Sequence, residues 1–90
     1  MKKTTQDFYV YAWYNVNTNE IFYIGKGREK RYSATTSRNK YFLEYIASHE
    51  VDVIILIDNL FEEQAFAYEK ILTDEYKKIG QCSCNLAPAG

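Results

Sequence analysis

The pattern of hydrophobic and polar positions begins with two aromatic-rich segments separated by a short polar one. Residues 8–14 read Phe-Tyr-Val-Tyr-Ala-Trp-Tyr, and residues 20–25 read Glu-Ile-Phe-Tyr-Ile-Gly. Aromatic and β-branched residues in such density favour strands. The intervening residues 15–19 include three asparagines, which accept left-handed backbone and cap their own amides. The pattern predicts an antiparallel β-hairpin.

Basic and polar residues follow the hairpin and predict a change to helical structure. Residues 25–27, Gly-Lys-Gly, are expected to end the second strand and to open a short basic helix near residues 28–32. Serine and threonine dominate residues 33–37, which predicts a loop that also supplies a helix cap. A second helix is expected from about Asn39 to Ser48, because apolar side chains recur there on one face.

The last part of the chain predicts a strand followed by a long helix. Residues 51–57 are nearly all apolar, which is typical of a strand buried on both sides. The spacing between Asn59 and Glu62 is that of a helix cap followed by its stabilising glutamate. The last helix is therefore expected from about Leu60 to Ile79, with Gly80 closing it.

The predicted order is β-β-α-α-β-α, which defines an α+β domain with a three-stranded antiparallel sheet flanked by helices. With 90 residues, the chain is expected to form a single domain, 1–90, with a core at about 8–88. No apolar run is long enough to span a bilayer, and the first residues lack the apolar stretch of a signal peptide, so we expect a cytoplasmic protein. Cys82 and Cys84 are too close in sequence for an unstrained disulfide, so reduced thiols are expected.

Charge is distributed unevenly, although the formal net charge is only −1. Residues 25–40 contain six basic side chains and one acidic one, whereas residues 44–75 contain nine acidic side chains and one basic one. A polyanion would be steered to the first segment and repelled by much of the second. An ordinary solvated surface is equally compatible with this distribution, so charge alone does not decide between the two.

Two tyrosines of the hairpin are candidates for a site. If the turn is centred on Asn17, Tyr11 lies directly opposite Tyr23, and Tyr9 lies opposite Gly25. Gly25 would then leave the face open beside the two tyrosines. A turn centred half a residue later would place the tyrosines on opposite faces of the sheet. Taken alone, two tyrosines in a hairpin are more often packing residues than site residues.

Glu69 is the second candidate, because it lies within or beside the apolar stripe of the last helix. A carboxylate on a packed face needs a partner, and a hard cation is one candidate. Pairing with a nearby arginine or lysine is the alternative, which spacing alone favours. The stripe consists of Phe61, Ala65, Tyr68, Leu72 and Tyr76.

Five short motifs, in order along nearly the whole chain, resemble the GIY-YIG nuclease superfamily. Tyr9-Val10-Tyr11 and Tyr23-Ile24-Gly25 resemble the family's paired strand motifs. An arginine on the helix after the second motif, a glutamate on a late helix and an asparagine in the terminal segment are matched by Arg31, Glu69 and Asn85.

The chain departs from the family pattern at two positions. Tyr9 stands in place of the first motif's glycine. Many members of the family carry a histidine or tyrosine one turn after the arginine, where this chain has Thr35. Tyr32 or His49 would have to substitute for that side chain.

The resemblance implies an endonuclease that uses Mg²⁺, with Mn²⁺ as the alternative ion, to hydrolyse phosphodiester bonds. DNA is a better candidate substrate than RNA. Glu69 would hold the metal ion, Tyr11 would take the proton of the attacking water, and Tyr23 would orient the water or the phosphate. Arg31 would offset charge on the phosphate, and Asn85 would brace the site. Binding of the substrate phosphates is expected from Lys26, Gly25, Gly27, Arg28 and Arg38.

Other interpretations of the sequence stay open. A non-catalytic module could use the same fold to bind nucleic acid or a protein, as a small regulator or inhibitor would, and a structural domain could use its tyrosines only for packing. The domain has no room for a separate DNA-binding region, so specificity would come from the loops at Gly25–Arg38, from a partner, or from a preference for single strands. One active site cuts one strand, so a double-strand break would need a homodimer or sequential nicks. Tyr41 and Tyr45 are the candidate dimer interface.

Overall fold

The structure, a computed structural model, describes residues 6–35 and 38–85. The strands are β1 (Phe8–Asn15), β2 (Ile21–Arg28) and β3 (Val51–Leu60), and the α-helices are α1 (Lys40–Ser48) and α2 (Glu62–Lys78). The predicted α+β architecture with a three-stranded antiparallel sheet is confirmed. No helix in these two ranges is long and apolar enough to cross a membrane. Predicted loop residues 36–37 and the end of the predicted core, 86–88, lie outside the described residues.

The second strand runs three residues further than predicted and takes the first residue of the first predicted helix. Gly27 and Arg28 continue the antiparallel pairing, opposite Tyr9 and Phe8 of β1. Glu29 then takes a left-handed backbone conformation with φ 55°, which ends the strand. Helical structure is limited to one 3₁₀ turn, Arg31–Ser33, so the helix predicted near residues 28–32 is present only as a shorter turn that begins three residues later. The Gly-Lys-Gly segment is therefore part of a strand rather than a loop.

The hairpin register is also shifted from the prediction. Tyr11 lies opposite Gly25, and Tyr23 lies opposite Trp13, two residues away from the predicted pairing. The turn forms around the side chain of Asn15, whose Oδ1 accepts from the backbone N–H of Asn17 at 2.9 Å. Because the shift is an even number of residues, Tyr11 and Tyr23 still lie on the same face.

The third strand is an edge strand, so the prediction that it is buried on both sides is wrong. β1 occupies the centre of the sheet, in the order β2-β1-β3, and β3 therefore has a neighbour on one side only. Ile54 and Ile55, in the middle of this apolar segment, are 50% and 36% exposed. A nearly continuous apolar run predicts burial on both sides, but periodicity alone does not reveal that the strand lies at the edge of the sheet.

The sheet separates two hydrophobic clusters, since successive side chains of β1 point to opposite faces. The aliphatic cluster lies under α2 and contains Val10, Ala12, Ile21, Ile24, Leu60, Ala65 and Cys82. The aromatic cluster lies on the other face, beside α1, and contains Tyr9, Tyr11, Trp13, Phe22, Phe42 and Cys84. Both thiols are free and buried, one in each cluster.

The helix boundaries follow from their caps. Asn39 caps α1 by accepting the backbone N–H of Phe42 at 2.9 Å, so this helix begins within a residue of the prediction. The predicted cap of α2 is wrong, because Leu60 still belongs to β3 and Asn59 has a left-handed φ of 57°. Instead, the backbone N–H of Phe61 donates to the side chain of Gln64 at 2.9 Å.

The far end and the apolar face of α2 follow the prediction more closely. Gly80, with φ 84°, closes the helix as expected. The predicted stripe is right at Ala65, Leu72 and Tyr76, whereas Tyr68 is 42% exposed.

Candidate active site

Tyr11 reaches across the hairpin and lies over the backbone of the outer strand β2. A Cβ atom built on Gly25 would be 2.6 Å from the Tyr11 hydroxyl oxygen and 2.7 Å from its Cζ. Gly25 is therefore required by the tyrosine itself, and the space predicted to be open beside the pair is filled by Tyr11. Its side chain is only 1% exposed.

Tyr23 lies diagonally across the hairpin from Tyr11. The two ring centroids are 6.4 Å apart, with the ring planes tilted by 38°. Diagonal neighbours on one face are within reach of each other when their side chains are aromatic. The two tyrosines of the paired motifs therefore form one unit, even though they are not directly opposite.

Arg38 completes this unit by inserting its guanidinium between aromatic rings. Its Nη1 donates to the Tyr11 hydroxyl at 2.7 Å, and its Cζ lies 5.5 Å from the Tyr11 ring centroid and 5.4 Å from that of Tyr23. Burial raises the pKa of Tyr11, while the hydrogen bond from Arg38 and its charge act to lower it. The sequence had assigned Arg38 only to phosphate binding. No local pattern indicates a contact between residues this far apart in the chain.

Arg31 lies beside this unit on the 3₁₀ turn. Its Cβ and Cγ fill the space next to Gly27, where a Cβ atom would approach Arg31 Cγ to 2.6 Å. The charge of Arg31 also contributes to lowering the pKa of Tyr11, although less than Arg38 does. The side chain of Arg31 is exposed, so its guanidinium is accessible to a ligand.

Tyr9, which replaces the first motif's glycine, anchors the turn that carries Arg31. Its hydroxyl donates to the carbonyl oxygen of Glu29 at 2.8 Å and accepts the backbone N–H of Tyr32 at 2.9 Å. One side chain of the central strand thus holds both ends of the 29–32 segment. This departure from the family pattern has a positioning role in this chain.

Glu69 approaches β2 from the opposite face of the sheet. Its side chain is half-buried, and burial raises the pKa of its carboxyl group. The charge of Lys26 and the backbone amide of Lys26 act in the opposite direction. The carboxylate of Glu69 is therefore placed against β2 at Lys26.

Asn85 binds the same strand at its outer edge. Its Oδ1 accepts the backbone N–H of Ile24 at 3.1 Å, and its Nδ2 donates to the carbonyl oxygen of Ile24 at 2.9 Å. Asn85, Tyr11 and Glu69 thus meet three consecutive residues of β2, at positions 24, 25 and 26. A strand at the edge of the sheet also has one side with unpaired backbone groups, and Asn85 binds there.

The other predicted phosphate ligands are held by neighbouring side chains. Lys26 Nζ is 3.7 Å from a carboxylate oxygen of Glu62. Arg28 Nη1 is 3.9 Å from a carboxylate oxygen of Asp7, and its guanidinium lies 5.5 Å from the ring centroid of Phe8. The predicted phosphate-binding residues are therefore divided among three locations instead of forming one patch.

The side chains considered as substitutes at Thr35 have structural contacts of their own. His49 stacks on Tyr45 with ring centroids 4.0 Å apart, at the end of α1. The ring of Tyr32 packs edge-on against Tyr9 at 5.8 Å. Tyr45 is half-buried between rings, whereas Tyr41 is 49% exposed, so only one of the two tyrosines proposed for a dimer interface is open.

Comparison with known proteins identifies no relative of this chain. No protein-family model, no curated protein and no solved structure matches the chain. The arrangement along the outer edge of β2 is therefore interpreted from the residues of this chain.

Proposed function

We propose that this chain is a small GIY-YIG-type nuclease that hydrolyses phosphodiester bonds of DNA. The observation that carries the proposal is the convergence of Tyr11, Asn85 and Glu69 on residues 24–26 of the edge strand β2. The element order β-β-3₁₀-α-β-α supports it, since it fits the order of that family with the first helix reduced to one turn.

Glu69 is the residue that would hold a Mg²⁺ ion. Within residues 6–35 and 38–85, no group of three or more His, Cys, Asp or Glu side chains forms a protein-only metal cage. A single carboxylate fits Mg²⁺, which usually keeps several waters and takes its other ligands from substrate phosphates. A half-buried carboxylate whose pKa is raised by burial also gains from a nearby cation. When bound, such an ion stabilises negative charge on the phosphate and on the leaving oxygen.

Tyr11 would take the proton of the attacking water at its hydroxyl oxygen. Because Arg38 donates a hydrogen bond to that oxygen, the tyrosine's own proton must point to another acceptor. The guanidinium favours the tyrosinate form, although burial is the larger effect and the pKa of Tyr11 is raised overall. Tyr23, whose ring lies beside both groups, is placed to orient the water or the phosphate.

Arg31 would bind a non-bridging oxygen of the phosphate, because its guanidinium is exposed next to the tyrosines. Asn85 would brace the edge of β2 through its two hydrogen bonds to Ile24. One such site cuts one strand, so the expected product from a single chain is a nick.

The proposal is tested by replacing Glu69 and measuring cleavage of single-stranded DNA, double-stranded DNA and RNA, with Mg²⁺ or with a chelator. Glu69→Gln should lower Mg²⁺-dependent cleavage at least about a hundredfold, since loss of a metal ligand removes several kcal/mol of transition-state stabilisation. Glu75→Gln on the same helix is the matched control, because Glu75 pairs at the surface with Lys78. Circular dichroism checks that both variants fold.

Cleavage that survives Glu69→Gln at full rate would contradict the proposal. Binding of nucleic acid without any cleavage by the unsubstituted chain would instead support a non-catalytic module on the same fold.

A further inference from the structure

A cleft lies beside the candidate active site, between β2 and the first turns of α2. It has a volume of about 300 Å³ and is lined by Lys26, Glu62, Glu63 and Phe66. Lys26 connects this cleft to the site, because it lines the cleft and its charge and backbone amide also act to lower the pKa of Glu69. A ligand in the cleft would therefore lie next to the phosphodiester group that the proposed nuclease cleaves.

Phe66 presents an aromatic face in this cleft. Its side chain is 42% exposed, whereas Phe22 and Phe42 on the other side of the sheet are 1% and 0% exposed. Phe66 lies three residues before Glu69, and residues with this spacing lie on neighbouring positions of a helix surface. An exposed ring next to a phosphodiester site is a platform on which a nucleobase can stack.

The charges of the cleft favour a base over a phosphate. The carboxylates of Glu62 and Glu63 outnumber the single ammonium group of Lys26, so a phosphate placed there would be repelled. Carboxylates accept hydrogen bonds from the exocyclic amino groups of cytosine and adenine, which thymine lacks. The strand's phosphates are better placed along the exposed basic side chains of Arg28, Lys30 and Arg31.

We propose that this cleft binds one unpaired nucleobase with an exocyclic amino group, stacked on Phe66 and next to the phosphate that is cut. In a duplex both faces of a base are covered by its neighbours, so only an unstacked base can lie on this ring. The inference rests on the proposed nuclease function and defines its substrate as a strand with at least one unpaired base other than thymine at the site.

The test is equilibrium binding of fluorescein-labelled 12-nucleotide strands of dC and dT, and of a 12-base-pair duplex, in a buffer with a chelator so that no cleavage occurs. Phe66→Ala is expected to weaken binding of the dC strand about tenfold and to leave binding of the duplex unchanged. The unsubstituted chain is expected to bind the dC strand about fivefold more tightly than the dT strand. Ile71→Ala is the matched control, because Ile71 is 55% exposed on the same helix and does not line the cleft.

Each outcome supports or overturns the inference. Phe66→Leu keeps an apolar side chain without an aromatic face, so it should weaken binding nearly as much as alanine does while leaving packing undisturbed. Equal effects of Phe66→Ala and Ile71→Ala, an equal loss on the duplex, no preference for dC, or no binding by the unsubstituted chain would each overturn it. Binding through Phe66 without any cleavage in Mg²⁺ would remove the nuclease function but leave the base-binding cleft, whereas cleavage that is insensitive to Phe66 would remove only the cleft.

Discussion

The two faces of the sheet hold their side chains in different ways. In the aliphatic cluster, buried side chains are held by contact alone, which has no preferred direction. In the aromatic cluster, three rings of β1 also make hydrogen bonds with residues outside the sheet. Tyr9 bonds to the 29–32 segment, Trp13 Nε1 donates to the carbonyl oxygen of Tyr32 at 3.0 Å, and Tyr11 accepts from Arg38.

This difference indicates that the aromatic face fixes positions, while the aliphatic face contributes burial without fixing them. A hydrogen bond is lost when its partners move by a fraction of an ångström, whereas an apolar contact tolerates such movement. The candidate site residues Tyr11 and Arg31 are both attached to the aromatic face. Glu69 comes from the helix over the aliphatic face and lies near Lys26 of β2.

The largest effect on stability is expected from Phe42, which is fully buried at the centre of the aromatic cluster. Its ring lies 5.4 Å from that of Trp13, 5.2 Å from that of Tyr23 and 5.1 Å from the guanidinium of Arg38. Phe42→Ala should lower the free energy of unfolding by about 3–5 kcal/mol, because it removes apolar contact and leaves a cavity. Urea denaturation followed by circular dichroism measures the change.

Leu43→Ala is the control for this prediction, since Leu43 is the next residue of α1 and is 40% exposed. We expect it to lower the free energy of unfolding by less than about 1 kcal/mol. Similar losses for the two variants would mean that the helix, and not the buried ring, is responsible for the effect.

The sequence predicts which face each residue of the hairpin occupies, but not the register of the hairpin. Alternation along β1 places Tyr9, Tyr11 and Trp13 on one face for any conformation of the turn, so the aromatic face is predictable. The register depends on how Asn15 folds the turn back on itself, and several turns of similar length fit the same residues. An even shift preserved the tyrosine pair, and an odd shift would have destroyed it.

Contacts between distant segments lie beyond the reach of the local sequence. Helix phase places Glu69 beside the packed face of α2, and the structure confirms that it is half-buried. The contact between Arg38 and Tyr11, and the position of β3 at the edge, depend on how whole elements pack. Neither follows from propensity or periodicity, which describe one segment at a time.

A smaller effect is expected from removing one hydroxyl group of the aromatic face. Tyr9→Phe keeps the ring but leaves the buried N–H of Tyr32 and the carbonyl oxygen of Glu29 without their shared partner. Loss of such a partner lowers the free energy of unfolding by about 1–3 kcal/mol. Urea denaturation of Tyr9→Phe and the unsubstituted chain, side by side, measures the change.

Tyr14→Phe tests whether this sensitivity is specific to the aromatic face. Tyr14 packs against the aliphatic cluster, and its hydroxyl makes no hydrogen bond with any residue in the described ranges. A change of less than about 0.5 kcal/mol is expected for this variant. If Tyr14→Phe were as destabilising as Tyr9→Phe, hydrogen bonds would not be the difference between the aromatic face and the aliphatic face.

The smallest effect on the free energy of unfolding is expected from ionisation of the two thiols, one of which lies in each cluster. Burial raises the pKa of Cys82, in the aliphatic cluster, from 9.0 to about 12. Between these values the folded chain keeps a proton that the unfolded chain releases, so the free energy of unfolding falls as the pH rises through this window. The fall from this one thiol should be about 1 kcal/mol between pH 8 and pH 10. The comparison ends at pH 10 because burial also raises the pKa of Tyr9 and Tyr11 from 10.0, so their contribution to the fall grows from about that pH upwards.

Cys82→Ala should remove most of this fall, measured as the difference between urea denaturation at pH 8 and at pH 10. Burial raises the pKa of Cys84 by less, and its Sγ lies 3.5 Å from the carbonyl oxygen of Tyr41, to which it donates. Cys84→Ala should therefore remove a smaller part of the fall. Each variant is compared with itself at two pH values, so the destabilisation caused by the cavity that the missing sulfur leaves is the same in both measurements and cancels. If the free energy of unfolding fell as much in Cys82→Ala as in the unsubstituted chain, the Cys82 thiol would be accessible to solvent. Packing in the aliphatic cluster would then not exclude water at this edge.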